Sequence, residues 1–115
     1  MQDAALPVRI DSLDGVTVLV PRGDIDMSRA PSFREHVRRA INAGAPKVVI
    51  DLSEVEYMDS SGLATLVEAM RNAKQASVAL MLCGLHQKVL AIFEIARLHQ
   101  FFKIEATVED AIAAS

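Results

Sequence analysis

The chain has 115 residues, of which 51% are hydrophobic, 23% charged and 4% aromatic, enough apolar material for a single domain over 1–115 with one core. Its net charge is −3, from 15 acidic and 12 basic residues, which argues against intrinsic disorder and gives direct nucleic-acid binding no electrostatic support. Trp is absent and small aliphatic residues dominate, a composition that suits layered helix–sheet packing better than an aromatic-lined binding groove.

In chain order, Val8-Arg9-Ile10 and Val16-Thr17-Val18-Leu19-Val20 read as two strands joined by a hairpin at Asp14-Gly15, because glycine accepts the positive φ of such turns. Pro21 and Gly23 close the second strand. Ser28 and Pro31 mark a helix start, followed by Phe33, Val37, Ala40 and Ile41 at helical spacing until Asn42-Ala43-Gly44-Ala45-Pro46 stops it. Lys47 to Leu52 is an almost wholly apolar run without alternation, which predicts a central strand covered on both faces. Ser60 to Ala73 predicts a second helix with Leu63, Leu66, Val67 and Met70 on one face, and Ser77 to Cys83 a further buried strand. A third helix carries Val89, Leu90, Ile92, Phe93 and Ala96. Phe101 to Ile104 predicts a short terminal strand, and Thr107 caps a last helix through Ala113, with Glu109 and Asp110 in its first turn. The order β-β-α-β-α-β-α-β-α predicts a mixed α/β sheet with packed helices, parallel after the hairpin and with right-handed crossovers.

No membrane insertion is expected. The longest uncharged stretch, Gln75 to Gln87, is interrupted by Ser77, Gly84 and His86 and is shorter than a bilayer requires. The opening Met-Gln-Asp-Ala-Ala-Leu-Pro lacks the basic start and apolar run of a signal peptide. A lone cysteine, Cys83, can form no internal disulfide and fits a reducing compartment, so a cytoplasmic location is expected.

Enzyme signatures are scarce. The glycines are scattered and form no phosphate-binding loop, and His36, His86 and His99 lack metal-ligand spacing. Cys83 sits in an apolar run with nothing basic beside it, as an inert thiol would. No cofactor or metal is therefore expected. One cluster stands out, Tyr57-Met58-Asp59-Ser60-Ser61-Gly62-Leu63, between the central strand and the second helix. Asp and Ser there serve as N-caps, whose side-chain oxygens accept the orphan N–H groups of the first turn. Two features exceed what capping needs. A second hydroxyl follows the first, and Gly62 costs about 1 kcal/mol relative to Ala inside a helix, so close approach of another backbone or of a partner protein is expected there. A hydroxyl at a helix N-terminus also suits phosphorylation, since N–H groups and the helix dipole favour an anion. The added charge of about −1.5 to −2 would repel Asp59 and alter what the surface binds.

Three segments together give a resemblance. They are Gly23-Asp24-Ile25-Asp26 with Ala30 and Phe33; Val48 to Ser53 with Val55 and Tyr57 to Leu63; and the tail from Val89-Leu90 through Leu98, Phe102, Ile104 and Glu109-Asp110-Ala111. The sequence resembles the STAS domain, and within it the bacterial anti-sigma-factor antagonists, over nearly its whole length. The resemblance implies a STAS-like fold and a phosphorylation-switched binding protein. Its partners would be an anti-sigma factor that is also a serine kinase, and a phosphatase that resets the cycle. It implies phosphorylation at Ser60 and a partner-binding face of Asp24, Asp26, Asp59, Ser60, Ser61 and Gly62, with no catalytic residue. Asp59 would position the site, and Ser61 would be a neighbouring hydroxyl. Departures from the family's usual pattern lie in loops: Gln75-Ala76 where a Gly is common before the strand, Gly84-Leu85-His86-Gln87 without a Pro, and Arg97-Leu98 in place of a Gly-Leu pair.

Of two other classes of function, one fits the same residues. Related STAS domains act as stressosome scaffolds or as cytoplasmic subunits of lipid-transporting ABC systems, docked permanently through the same helix face. A phospho-acceptor aspartate of the response-regulator type, at Asp51 or Asp59, would need Mg²⁺ held by several oxygens, and the acids do not follow that pattern.

Overall fold

The computed structural model describes residues 4–114. Five strands and four helices follow in the order β1 (Val8–Leu13), β2 (Val16–Pro21), α1 (Ala30–Asn42), β3 (Lys47–Asp51), α2 (Ser60–Ala76), β4 (Ala79–Cys83), α3 (Gln87–Ile95), β5 (Lys103–Glu105) and α4 (Val108–Ala113). The strands form one sheet in sequence order, β1-β2-β3-β4-β5. The β1–β2 hairpin is antiparallel and every later pairing is parallel. Asp14 (φ 53°) and Gly15 (φ 77°) make the hairpin turn, with the two positive φ values that match its twist to the strands.

Alternation along the strands divides the core. Leu19, Val48, Ile50, Leu80 and Leu82 face the layer that holds Phe33, Val37 and Ile41 of α1, Leu66 and Met70 of α2 and Phe93 of α3. Val16, Val18, Val20, Val49, Met81 and Cys83 face the other way, where Ala111 of α4 is buried against them. The central strand β3 is therefore covered on both sides, as its uniform apolar run requires. The second face depends on a helix of six residues. Lys47, at the start of β3, fixes that helix: its Nζ donates to the carbonyls of Ala111 (3.0 Å), Ile112 (3.1 Å) and Ala114, at the negative end of α4.

The structure corrects several expected boundaries. β1 runs on to Leu13. α1 begins at Ala30, and its N-cap residue Arg29 makes no side-chain cap, so Ser28 does not cap the helix. β4 begins at Ala79 because Ser77 ends α2 in a left-handed conformation (φ 59°), with the Val78 amide returning to the Ala73 carbonyl. The terminal strand is Lys103–Glu105, since Phe102 turns inward onto Phe93, ring edge to ring face. Arg97 (φ 58°) occupies a second left-handed helix end, with the Leu98 amide bonded to the Phe93 carbonyl. Both turns are made without the glycine that usually relieves them. Thr107 does cap α4, its hydroxyl accepting from the Asp110 amide.

Candidate functional site

At the C-terminal ends of β2 and β3 two loops lie side by side. The Gly23 amide bonds the Glu54 carbonyl, the Ile25 amide bonds the Tyr57 carbonyl, and the Asp59 amide bonds the Ile25 carbonyl. These bonds form an isolated parallel bridge between Ile25 and Met58, both fully buried. The bridge draws the segment holding Asp24 and Asp26 against the start of α2, residues more than thirty positions away in sequence.

Asp59 is the N-cap of α2. Its Oδ1 accepts from the Ser61 amide (2.9 Å), the Gly62 amide (3.4 Å) and the Ser61 hydroxyl (2.5 Å). Ser61 is occupied a second time, as its carbonyl accepts from the Thr65 hydroxyl. Ser60 differs from its neighbour: it is exposed at the first helical position, and its hydroxyl makes no hydrogen bond among the described residues. The first-turn amides expected to be open to an anion are thus held by Asp59, and a phosphate on Ser60 would compete with that carboxylate for them.

Gly62 answers to the chain's own core. A Cβ built there would lie 2.6 Å from Met58 Cγ and 3.0 Å from Ile25 Cγ2, so the bridge side chains demand glycine. No partner protein is needed to explain it.

The two upstream acids have separate roles. Asp26 Oδ1 accepts from the Ser28 hydroxyl (2.7 Å), the Ser28 amide and the Arg29 amide, bending the chain into α1. The Ser28 hydroxyl is the main cause that holds its carboxyl below the ordinary 3.8, helped by the Arg29 and Ser28 amides and the Arg29 charge. Asp24 is exposed, and among the described residues only its carbonyl is engaged, by Arg29 Nη1 at 3.4 Å. Asp24 lines an open cleft of about 370 Å³ with Arg22, Gly23, Ser53, Glu54 and Glu56.

Two exposed apolar side chains flank the site and did not figure among the expected binding residues. Met27 is 75% exposed and Tyr57 51%. Met27 and Pro31 face Ser61, Ala64 and Glu68 across a shallow groove of about 310 Å³ between α1 and α2, beside the Arg34–Glu68 ion pair. Met27 had one sequence signal: an apolar residue set among turn-forming Asp26 and Ser28, outside any helical or strand period.

Other candidate groups are engaged elsewhere. Asp51 Oδ1 accepts from the Ser53 amide, and His86 Nε2 lies 2.7 Å from the Ser53 carbonyl. Cys83 is buried, and burial, with smaller contributions from the Asp51 and Glu109 carboxylates, pushes its thiol up to about 12. Such a thiol stays protonated at neutral pH. Among the described residues no group of three His, Cys, Asp or Glu is arranged to hold a metal ion, and no helix is long and apolar enough to cross a membrane.

The sequence profile of the STAS domain matches residues 8–111. The chain belongs to the STAS domain family. It is 31% identical to the anti-sigma-B factor antagonist of Listeria monocytogenes over 101 residues, covering 88% of each chain. A crystal structure of an anti-sigma factor antagonist from Mycobacterium paratuberculosis superposes with a TM-score of 0.86 at 25% identity, covering 96% of both chains. The anti-sigma factor antagonist SpoIIAA has the same fold in its unphosphorylated form, with a TM-score of 0.77 at 22% identity over 92% of this chain and 93% of SpoIIAA. Its phosphorylated form gives 0.70 at 21% over 93% and 97%. Within this STAS chain, the Asp59-Ser60-Ser61-Gly62 turn and the Gly23-Asp24-Ile25-Asp26 loop that gave the resemblance are the two segments joined by the Ile25–Met58 bridge.

Proposed function

We propose that this STAS protein is a phosphorylation-switched anti-sigma-factor antagonist whose phospho-acceptor is Ser60. One observation carries the assignment: of two adjacent hydroxyls, Ser61 is spent on Asp59, while Ser60 is exposed and unbonded among the described residues. Unphosphorylated, the protein binds an anti-sigma factor that is also a serine kinase, and the sigma factor is freed. The binding face comprises Asp24, Asp26 and the Asp59–Gly62 turn, with Met27 and Tyr57 as apolar contacts. Phosphorylation adds about −1.5 to −2 charge next to Asp59, and the doubly acidic turn no longer fits the partner. The fold survives, because Ser60 contributes no side-chain bond to it. A phosphatase restores the binding form. Binding, rather than catalysis, is the activity: the Asp51 and Asp59 carboxylates are both committed to backbone amides, and the Cys83 thiol is buried and protonated. The likeness to antagonists supports a cytoplasmic setting in which such a partner is available.

The test is phosphate transfer from ATP with the cognate anti-sigma kinase. Wild type takes up phosphate and Ser60→Ala takes up none, whereas Ser61→Ala still does. Equal uptake by Ser60→Ala and wild type would refute the assignment. Affinity capture adds the binding side: wild type and Ser60→Ala retain the anti-sigma factor, and Ser60→Asp loses it.

A further inference from the structure

Among the described residues β1 is an edge strand of six residues, paired only with β2. The two-residue turn closes on Leu13 and Val16, and the Arg22 amide bonds the Pro7 carbonyl at the other end of the hairpin. In an antiparallel ladder the bonded pairs alternate, so residues 7, 9, 11 and 13 direct their backbone groups to β2. Val8, Ile10 and Ser12 direct theirs outward, unpaired among the described residues. Along the same strand Arg9 and Asp11 lie on one face and form an exposed ion pair at 3.1 Å, while Ile10, on the opposite face, is 58% exposed.

We propose that this edge is a self-association surface, on which β1 of a second copy of the chain adds antiparallel with Ile10 at the two-fold axis. The charges select this register. With Ile10 opposite Ile10 of the partner subunit, Arg9 stands opposite Asp11 of the partner subunit, and the symmetric contact repeats the pair. These are non-hydrogen-bonded positions, where cross-strand side chains come closest. Val8, Ile10 and Ser12 meanwhile exchange their outward N–H and C=O groups with Ser12, Ile10 and Val8 of the partner subunit. A shift by two residues either way sets Arg9 against Arg9 or Asp11 against Asp11. Charges on an edge strand ordinarily discourage pairing. Here their order discourages the wrong registers and favours one. The joined sheet has twice the five strands of a single chain. Its two halves run in opposite directions, so the Ser60 turns sit at opposite ends and both stay open. This inference is independent of the function proposed for Ser60.

Sedimentation of the full chain from about 1 µM to 1 mM tests it, since that range spans dimers of moderate affinity. Wild type shows a monomer–dimer equilibrium. Arg9→Asp or Asp11→Arg alone faces like charges across the axis and weakens the dimer by about tenfold or more. The double swap Arg9→Asp/Asp11→Arg restores the opposition and returns association to near wild type. Circular dichroism melting of each variant shows that the fold is retained. A wild type that stays monomeric over the range, single variants that dimerise as wild type does, or a double swap no better than either single would each overturn the proposal.

Discussion

Asp59 and Ser61 are joined twice: one carboxylate oxygen of Asp59 accepts both the amide and the hydroxyl of Ser61. This pairing separates two adjacent serines into a structural one and an open one. Asp59→Ala removes the cap and is expected to destabilise the fold by about 1 kcal/mol. Ser61→Ala removes one hydrogen bond to a charged carboxylate, about 1.5 kcal/mol. Ser60→Ala, at an exposed position without a partner, changes stability by less than about 0.5 kcal/mol. Urea denaturation ranks the three, and a Ser60→Ala loss as large as that of Asp59→Ala would contradict the geometry.

Gly62→Ala reverses the usual helix rule. In an open helix the change is stabilising by about 1 kcal/mol. Here the new methyl meets Met58 and Ile25, both fully buried, so a loss of about 1–3 kcal/mol is expected from overpacking. A gain in the denaturation midpoint would show that the bridge has room.

Arg97→Gly is expected to stabilise. Arg97 holds φ 58° just past the end of α3, where a non-glycine residue pays a steric penalty of about 1 kcal/mol. A thermal midpoint raised by a few degrees is the expected result, and an unchanged or lowered midpoint would contradict it.

Asp26 makes stability depend on pH. Its folded carboxyl titrates below the ordinary 3.8, chiefly because of the Ser28 hydroxyl. The contribution is therefore complete above the unfolded value and is lost as pH falls through the folded one. Asp26→Asn should lower the urea midpoint at pH 7, and the gap to wild type should narrow as pH drops below about 4. A gap that stays constant with pH would mean the charge of Asp26 contributes nothing.

Lys47→Met tests the anchor of the second core. Loss of three charged bonds to the end of α4 is expected to cost about 2 kcal/mol and to loosen that helix over Cys83. In wild type the thiol, pushed up to about 12, reacts slowly with a thiol reagent at pH 8. The variant should react faster and lose hydrogen-exchange protection in α4. Equal reactivity would show that α4 holds without its lysine.

Much of the molecule was legible as sequence because its causes are local. The hairpin follows from Asp14-Gly15, the last helix from Thr107, and the coverage of β3 from its unbroken apolar run. Asp59 as N-cap already implies bonds to the second and third helical residues, Ser61 and Gly62, and so leaves Ser60 outside them. The element ends were less legible. Ser77 and Arg97 take a left-handed conformation that their side chains do not favour, so no glycine announced either stop.

The amino-acid sequence by itself determined the order of elements, the two-sided sheet and the aspartate-serine turn, because each depends on neighbours within a few residues. Tertiary structure alone decided that Ile25 and Met58 pair, that Gly62 must be glycine to admit them, that Met27 stands out beside the turn, and that Lys47 reaches the end of α4. These contacts join residues tens of positions apart. Their energies come from how loops and layers close on one another, and local sequence pattern carries no record of that closure.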